Sequence, residues 1–108
     1  MSIHVERDTE GYLVNPDDWT DDIAMDLAKE ENIDLNEQHW QILGFIRKYY
    51  DEHNVIPDVR HVDEYLVTEN NLDKKEGKRI IFKLFPYGYV KQACKISGMR
   101  RPRAWSTG

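Results

Sequence analysis

The chain has 108 residues, 40% of them hydrophobic and 32% charged, with a net charge of −5. That size and balance describe one globular domain with a single core and exclude an intrinsically disordered chain. No apolar run approaches the roughly 18 residues of a membrane-spanning helix, and the N-terminal MSIHVERD lacks the apolar segment of a secretory signal.

The expected location is therefore the cytoplasm, with no membrane partner. The single cysteine, Cys94, agrees, since it can form no internal disulfide. One thiol is too few for even the smallest thiolate zinc site. His4, His39, His53 and His61 show no paired ligand spacing, so no metal or cofactor is expected. The charge is split along the chain. Residues 1–76 hold all 20 acidic residues and 7 of the 15 lysines and arginines, a net of −13; residues 77–108 hold the other 8 basic residues and no acid. Such asymmetry either steers an anionic partner to one end or pairs internally with the acidic face.

In chain order, Ile3 to Arg7 alternates with period two, Asp8-Thr9-Glu10-Gly11 reads as a turn, and Tyr12-Leu13-Val14 resumes. This pattern predicts a small β-hairpin or meander over residues 1–15, which must pack on helices to be stable. Asn15-Pro16 breaks it. A first helix is expected from Thr20 to Glu31, capped by Thr20, with Asp21 and Asp22 at its positive end and Ile23, Leu27 and Ala28 facing inward. A second opens at the N-cap Asn36, with Leu35 and Trp40 spaced as a hydrophobic staple. Trp40, Leu43, Ile46 and Tyr50 give it a buried face, and Gly44 is expected to permit close packing.

Pro57 suits the first turn of a third helix, whose apolar face is Val59, Val62 and Leu66. Thr68 to Lys75 reads as a polar loop. A fourth helix spans roughly Glu76 to Leu84, and a fifth runs from about Tyr89 to Ser97 with Gly98 as its C′ residue. The fold class expected is α+β: the hairpin on an orthogonal bundle of about five helices (residues 16–97), followed by a C-terminal arm (98–108). The second and third helices resemble a helix-turn-helix, but the candidate recognition helix, Asp58 to Val67, sets Asp58, Asp63 and Glu64 against Arg60 alone, a poor surface for phosphates.

An ordered set of residues resembles the DsrC/TusE family: Asp8 to Leu13, Trp19, His39-Trp40, Phe45-Ile46-Arg47, Tyr49-Tyr50, Pro57, Arg60, Leu84-Phe85-Pro86, Lys91-Gln92-Ala93-Cys94-Lys95, Gly98 and Pro102. The resemblance covers nearly the whole chain. It implies a sulfur-carrier fold, partnership with sulfur-relay proteins or dissimilatory sulfite reductase subunits, and a link through persulfide relay to transfer-RNA thiolation. In such proteins a cysteine next to the end of the arm carries the sulfur, and some members have a second cysteine in a KQAC-like segment. Here Cys94 matches that second position, whereas Trp105 lies where the arm cysteine is expected. Arg100 replaces a proline of the arm, and Gly88-Tyr89 replaces a Gly-Pro.

An intramolecular disulfide or trisulfide therefore cannot form, and an indole cannot carry a persulfide. The resemblance implies a partner or regulatory module that is not an independent enzyme, although a role as a sulfur carrier or transferase component stays open. Cys94 is the candidate sulfur-carrying or redox thiol. Lys91 and Lys95 favour its thiolate, while its place in the C-terminal half of a helix disfavours it. Arg60, Lys91, Lys95, Arg100, Arg101, Arg103 and Trp105 are the candidate partner-binding residues, since guanidinium groups and tryptophan suit an anionic channel. The alternative is a DNA-binding transcriptional regulator that uses the helix-turn-helix-like pair and the basic C-terminal face, with nucleic acid as the partner. His39 reads as a helix residue with local hydrogen bonds.

Overall fold

The computed structural model describes residues 5–101. Four α-helices follow one another: α1 (Asp21–Glu30), α2 (Glu37–His53), α3 (Val59–Asn70) and α4 (Glu76–Leu84). A short 3-10 turn, Pro16–Asp18, precedes α1, and a π-helix, Tyr89–Cys94, follows α4. The first three α-helices start where a side chain satisfies their open amides. The Thr20 hydroxyl accepts from Ile23 N, the Asn36 carbonyl from Gln38 N and His39 N, and the Asp58 carboxylate from Arg60 N and His61 N. At the other end, α2 and α3 close on Asn54 and Asn71, both in the left-handed conformation.

The expected α+β class is overturned: among the described residues there is no strand, only an isolated antiparallel bridge between Arg7 and Leu13. The physical reason lies in the turn and the residues just after it. The Asp8 carboxylate accepts from Glu10 N (2.8 Å) and Tyr12 N (3.0 Å), drawing the chain into a tight loop around Gly11. Asn15 and Pro16 then start the 3-10 turn, leaving no length for a ladder. Side chains tie the loop to the body instead: Tyr12 and Leu13 are buried, and Arg7 meets Glu30 at 2.6 Å. The residues Ile3 and His4, on which the alternation began, lie outside the described region.

Helix packing builds one core. Ala24, Leu27 and Ala28 from α1 meet Ile42, Leu43 and Ile46 from α2, Val62 and Leu66 from α3, and Ile81 and Leu84 from α4. The π-helix adds Tyr89, Val90, Ala93 and Cys94. Helix α3 runs on to Asn70, into the stretch expected as loop, and Pro57 precedes its N-cap rather than occupying its first turn. Gly44 also departs from expectation. It is exposed, and a Cβ built there would meet nothing within 4 Å, so it is not a close-packing site.

Buried His39 fixes two elements together. Its Nδ1 accepts from Asn36 N at 3.0 Å, completing a capping box, which requires the ring proton on Nε2. Nε2 then donates to Leu84 O, also at 3.0 Å, tying α2 to the end of α4. Phe85 packs edge-on against the ring with centroids 5.2 Å apart.

Candidate functional site

The segment Tyr89 to Arg101 carries the only thiol and the root of the arm. Its sequence alone does not hold it: its carbonyls are taken up by side chains from far along the chain. Tyr12 donates its hydroxyl to Val90 O (3.1 Å), and Trp19 Nε1 donates to Ile96 O (2.8 Å). Arg47 reaches Ser97 O at 2.8 Å and Pro16 O at 3.0 Å, with its guanidinium 4.3 Å above the Trp19 ring. Tyr12, Trp19 and Arg47 thus act as three clamps.

Gln92 braces the start of the π-helix. Its side-chain carbonyl accepts from Tyr87 N (2.9 Å) and its amide donates to Glu31 (3.1 Å). The other oxygen of Glu31 lies 3.6 Å from Lys95 Nζ, which sits 5.3 Å from the centre of the Tyr12 ring. The helix ends in a Schellman arrangement: Gly98 N bonds Lys95 O (3.0 Å) and Met99 N bonds Cys94 O (3.1 Å). Gly98 has φ +81°, and a methyl there would run into the Trp19 ring, so glycine is required twice over.

Cys94 is 0% exposed. Burial pushes its thiol up to about 12, against a smaller opposing effect of the Tyr89 hydroxyl. Tyr89 is also buried and donates its own proton to Pro57 O. That proton serves Pro57 O, so the hydroxyl's effect on the sulfur stays smaller than the cost of burying a thiolate. Lys91 points to solvent and Lys95 is engaged with Glu31, so neither lysine offsets the desolvation of the sulfur.

The candidate partner residues divide. Lys95, Arg100 and Arg101 gather at the arm root. Arg100 donates to the Tyr50 hydroxyl (3.2 Å), and Arg101 pairs with Glu10. Lys91 lies exposed on the π-helix, whereas Arg60 sits apart on the first turn of α3, paired with Asp58 at 3.3 Å. Arg103 and Trp105 lie outside the described residues. Among the described residues no three His, Cys, Asp or Glu side chains converge as a metal ion requires, and no helix is long and apolar enough to cross a membrane.

Sequence reasoning gave Gln92 and Tyr89 no role of their own. Nothing local marks Gln92, whose partners lie 5 and 61 positions away. Tyr12, Trp19 and Arg47 stood in the resemblance without a function, and the structure supplies one.

Comparison with known proteins points the same way. The family described as DsrC like protein matches residues 2–104. The sulfurtransferase TusE of Photorhabdus laumondii is 41% identical over 98 residues, covering 91% of this chain and 87% of the relative. The sulfurtransferase TusE of Escherichia coli K12 is 36% identical over 98 residues, covering 91% and 89%. Among solved structures, the oxidized gamma-subunit of the dissimilatory sulfite reductase (DsrC) from Archaeoglobus fulgidus superimposes with a TM-score of 0.83 at 30% identity, covering 94% of this chain and 92% of the other. DsrC of Allochromatium vinosum gives 0.79 at 38% identity, covering 93% and 88%. These comparisons give no support to the DNA-binding alternative. With the match running through the clamped thiol helix and the root of the arm, the chain belongs to the DsrC-like protein family.

Proposed function

We propose that this protein works in a sulfur relay, or beside a dissimilatory sulfite reductase, as a docking and regulatory module whose one thiol is held out of reach. Its likeness to the sulfurtransferase TusE and to DsrC supports the pathway. The observation that carries the module reading is the burial of Cys94, 0% exposed with its thiol pushed up to about 12. The thiolate, not the thiol, is the sulfur nucleophile, and near neutral pH this group stays protonated. By the family resemblance, Trp105 stands where the arm cysteine is expected.

The arm then serves binding. Arg100 and Arg101 fasten its root to Tyr50 and Glu10, and Arg103 and Trp105 follow in the sequence. Arginine and tryptophan suit the carboxylate-lined channel or pocket of a relay or reductase partner. Lys91, exposed on the π-helix, adds to the binding surface, while Arg60 on α3 offers a separate contact, and the protein acts in the cytoplasm. Tyr89, which replaces a proline of the family pattern, adds the hydroxyl that engages Cys94.

Persulfide loading tests this reading. After treatment with a persulfide donor, intact-mass spectrometry of the native protein is expected to show no added sulfur atom, while the denatured protein gains one at Cys94. A gain on the native protein at the rate seen in denaturant contradicts it. A parallel measurement compares binding of purified relay or reductase subunits by wild type and by an Arg100/Arg101/Arg103→Ala variant. Loss of binding is expected, and unchanged binding removes the arm from the account.

A further inference from the structure

We infer that the outer face of α4 is a second docking surface, one that receives an acidic, leucine-bearing segment of a partner protein. This goes beyond the arm reading and rests on different residues. Helix α4 presents Lys75, Lys78, Arg79, Phe82 and Lys83 at spacings of three, four, seven and eight residues from the first, all on the side opposite Gly77, Ile81 and Leu84. The four cations are exposed, and none pairs with a described acid. In their midst Phe82 is 45% exposed and takes no part in the core or in any described ring contact. Glu76, at the start, is the only acid of the helix.

An apolar ring inside a collar of positive charge is incomplete by itself. The chemistry that completes it is an apolar side chain to cover Phe82 and carboxylates to meet the lysines and arginine. An anchor surrounded by charged rim contacts is the usual division of labour in a protein interface: the ring supplies affinity and the charges supply orientation and encounter rate. A compact acidic segment fits better than a nucleic acid. Helix α4 is nine residues long, and a polyanion with closely spaced phosphates soon runs past it. It then meets the acids of the adjoining α3 and its loop, Glu64, Glu69 and Asp73, all exposed.

The test is a titration of the isotope-labelled full chain, followed by amide NMR, with a peptide carrying two central leucines flanked by glutamates. A hexaglutamate peptide and a single-stranded RNA oligonucleotide serve as comparison probes. Expected are shifts clustered on residues 75–83, a Kd that weakens with salt, and weaker binding of hexaglutamate. Phe82→Ser is expected to lower peptide affinity about tenfold, and Lys78→Glu/Arg79→Glu by at least as much, with Tm unchanged because all three positions are exposed. Three results overturn the inference: no shifts on α4, shifts confined to the arm root at Arg100 and Arg101, or affinity indifferent to Phe82. RNA that displaces the peptide and binds the face more tightly also overturns it, in favour of a nucleic-acid surface. None of these outcomes bears on the burial of Cys94, so the two proposals fail separately.

Discussion

The thiol helix and the outer face of α4 are near neighbours in sequence and opposites in physics. Around Cys94 nearly every polar group is engaged: Tyr12, Trp19, Arg47 and Ser97 take up carbonyls, Gln92 and Glu31 pair, and Tyr89 engages the sulfur. On α4 the cations are unpaired with any described acid and the aromatic ring is uncovered. A buried polar group without a partner costs stability, whereas an exposed one is solvated, so the first region is fixed by folding and the second is free to be fixed by a partner. The difference teaches that the group with chemical reactivity is withheld while the groups with binding capacity are presented.

Breaking the clamps breaks the comparison most severely. Arg47→Ala removes a charged donor from Ser97 O and Pro16 O and strips the packing over Trp19, and it is expected to cost about 3 kcal/mol in a denaturant titration. The same variant should expose Cys94 to alkylation at lower denaturant than wild type. A loss below about 0.5 kcal/mol argues that the π-helix holds itself.

A gentler change sharpens the comparison. Tyr89→Phe keeps the ring in the core but removes the hydroxyl that serves Pro57 O and the thiol. The expected cost is about 1 kcal/mol, with faster native-state alkylation of Cys94. An unchanged alkylation rate shows that packing alone, and not Tyr89, seals the sulfur. Of similar size and opposite sign is Gly44→Ala. The site is exposed with nothing for a methyl to strike, so removing a helix glycine should stabilise the protein by about 1 kcal/mol. A destabilisation there points to a hidden contact on the outer side of α2.

The pH dependence from His39 is the smallest effect. Burial holds its pKa below the ordinary histidine value, opposed by the bond to Leu84 O. The unfolded chain therefore takes up the proton first. The contribution to stability is complete above the ordinary value of about 6.5 and declines as pH falls through it toward the lower folded value. Denaturant midpoints at pH 7.5 and 5.5 check this, and His39→Gln should flatten the difference.

Much of the molecule was legible in the residues. Thr20, Asn36 and Gly98 mark helix ends by local chemistry that no tertiary contact overrides, and the bounds of α4 follow from its stripe of Ile81 and Leu84 between Lys75 and Pro86. The N-terminal alternation misled because Tyr12 and Leu13, adjacent in sequence, are both buried, which a loop allows and the alternating faces of a strand do not. The capping box at α2 was hidden because His39 stands where glutamate or glutamine is the usual signal. The π winding of Tyr89–Cys94 leaves no trace in six residues of hydropathy. It rests on partners such as Tyr12 and Trp19, 78 and 77 positions away. Candidate residues were visible by type, but whether a cation was engaged, as Lys95 is, or unpaired, as Lys78 is, required the packing.

The most direct test of the account is the rate at which Cys94 alkylates in the native protein across a denaturant series. A sealed thiol predicts negligible labelling in buffer, with a rate that rises in step with global unfolding measured on the same samples. Labelling in buffer at the rate of a free cysteine, with the fold intact, contradicts it and makes Cys94 a working sulfur site.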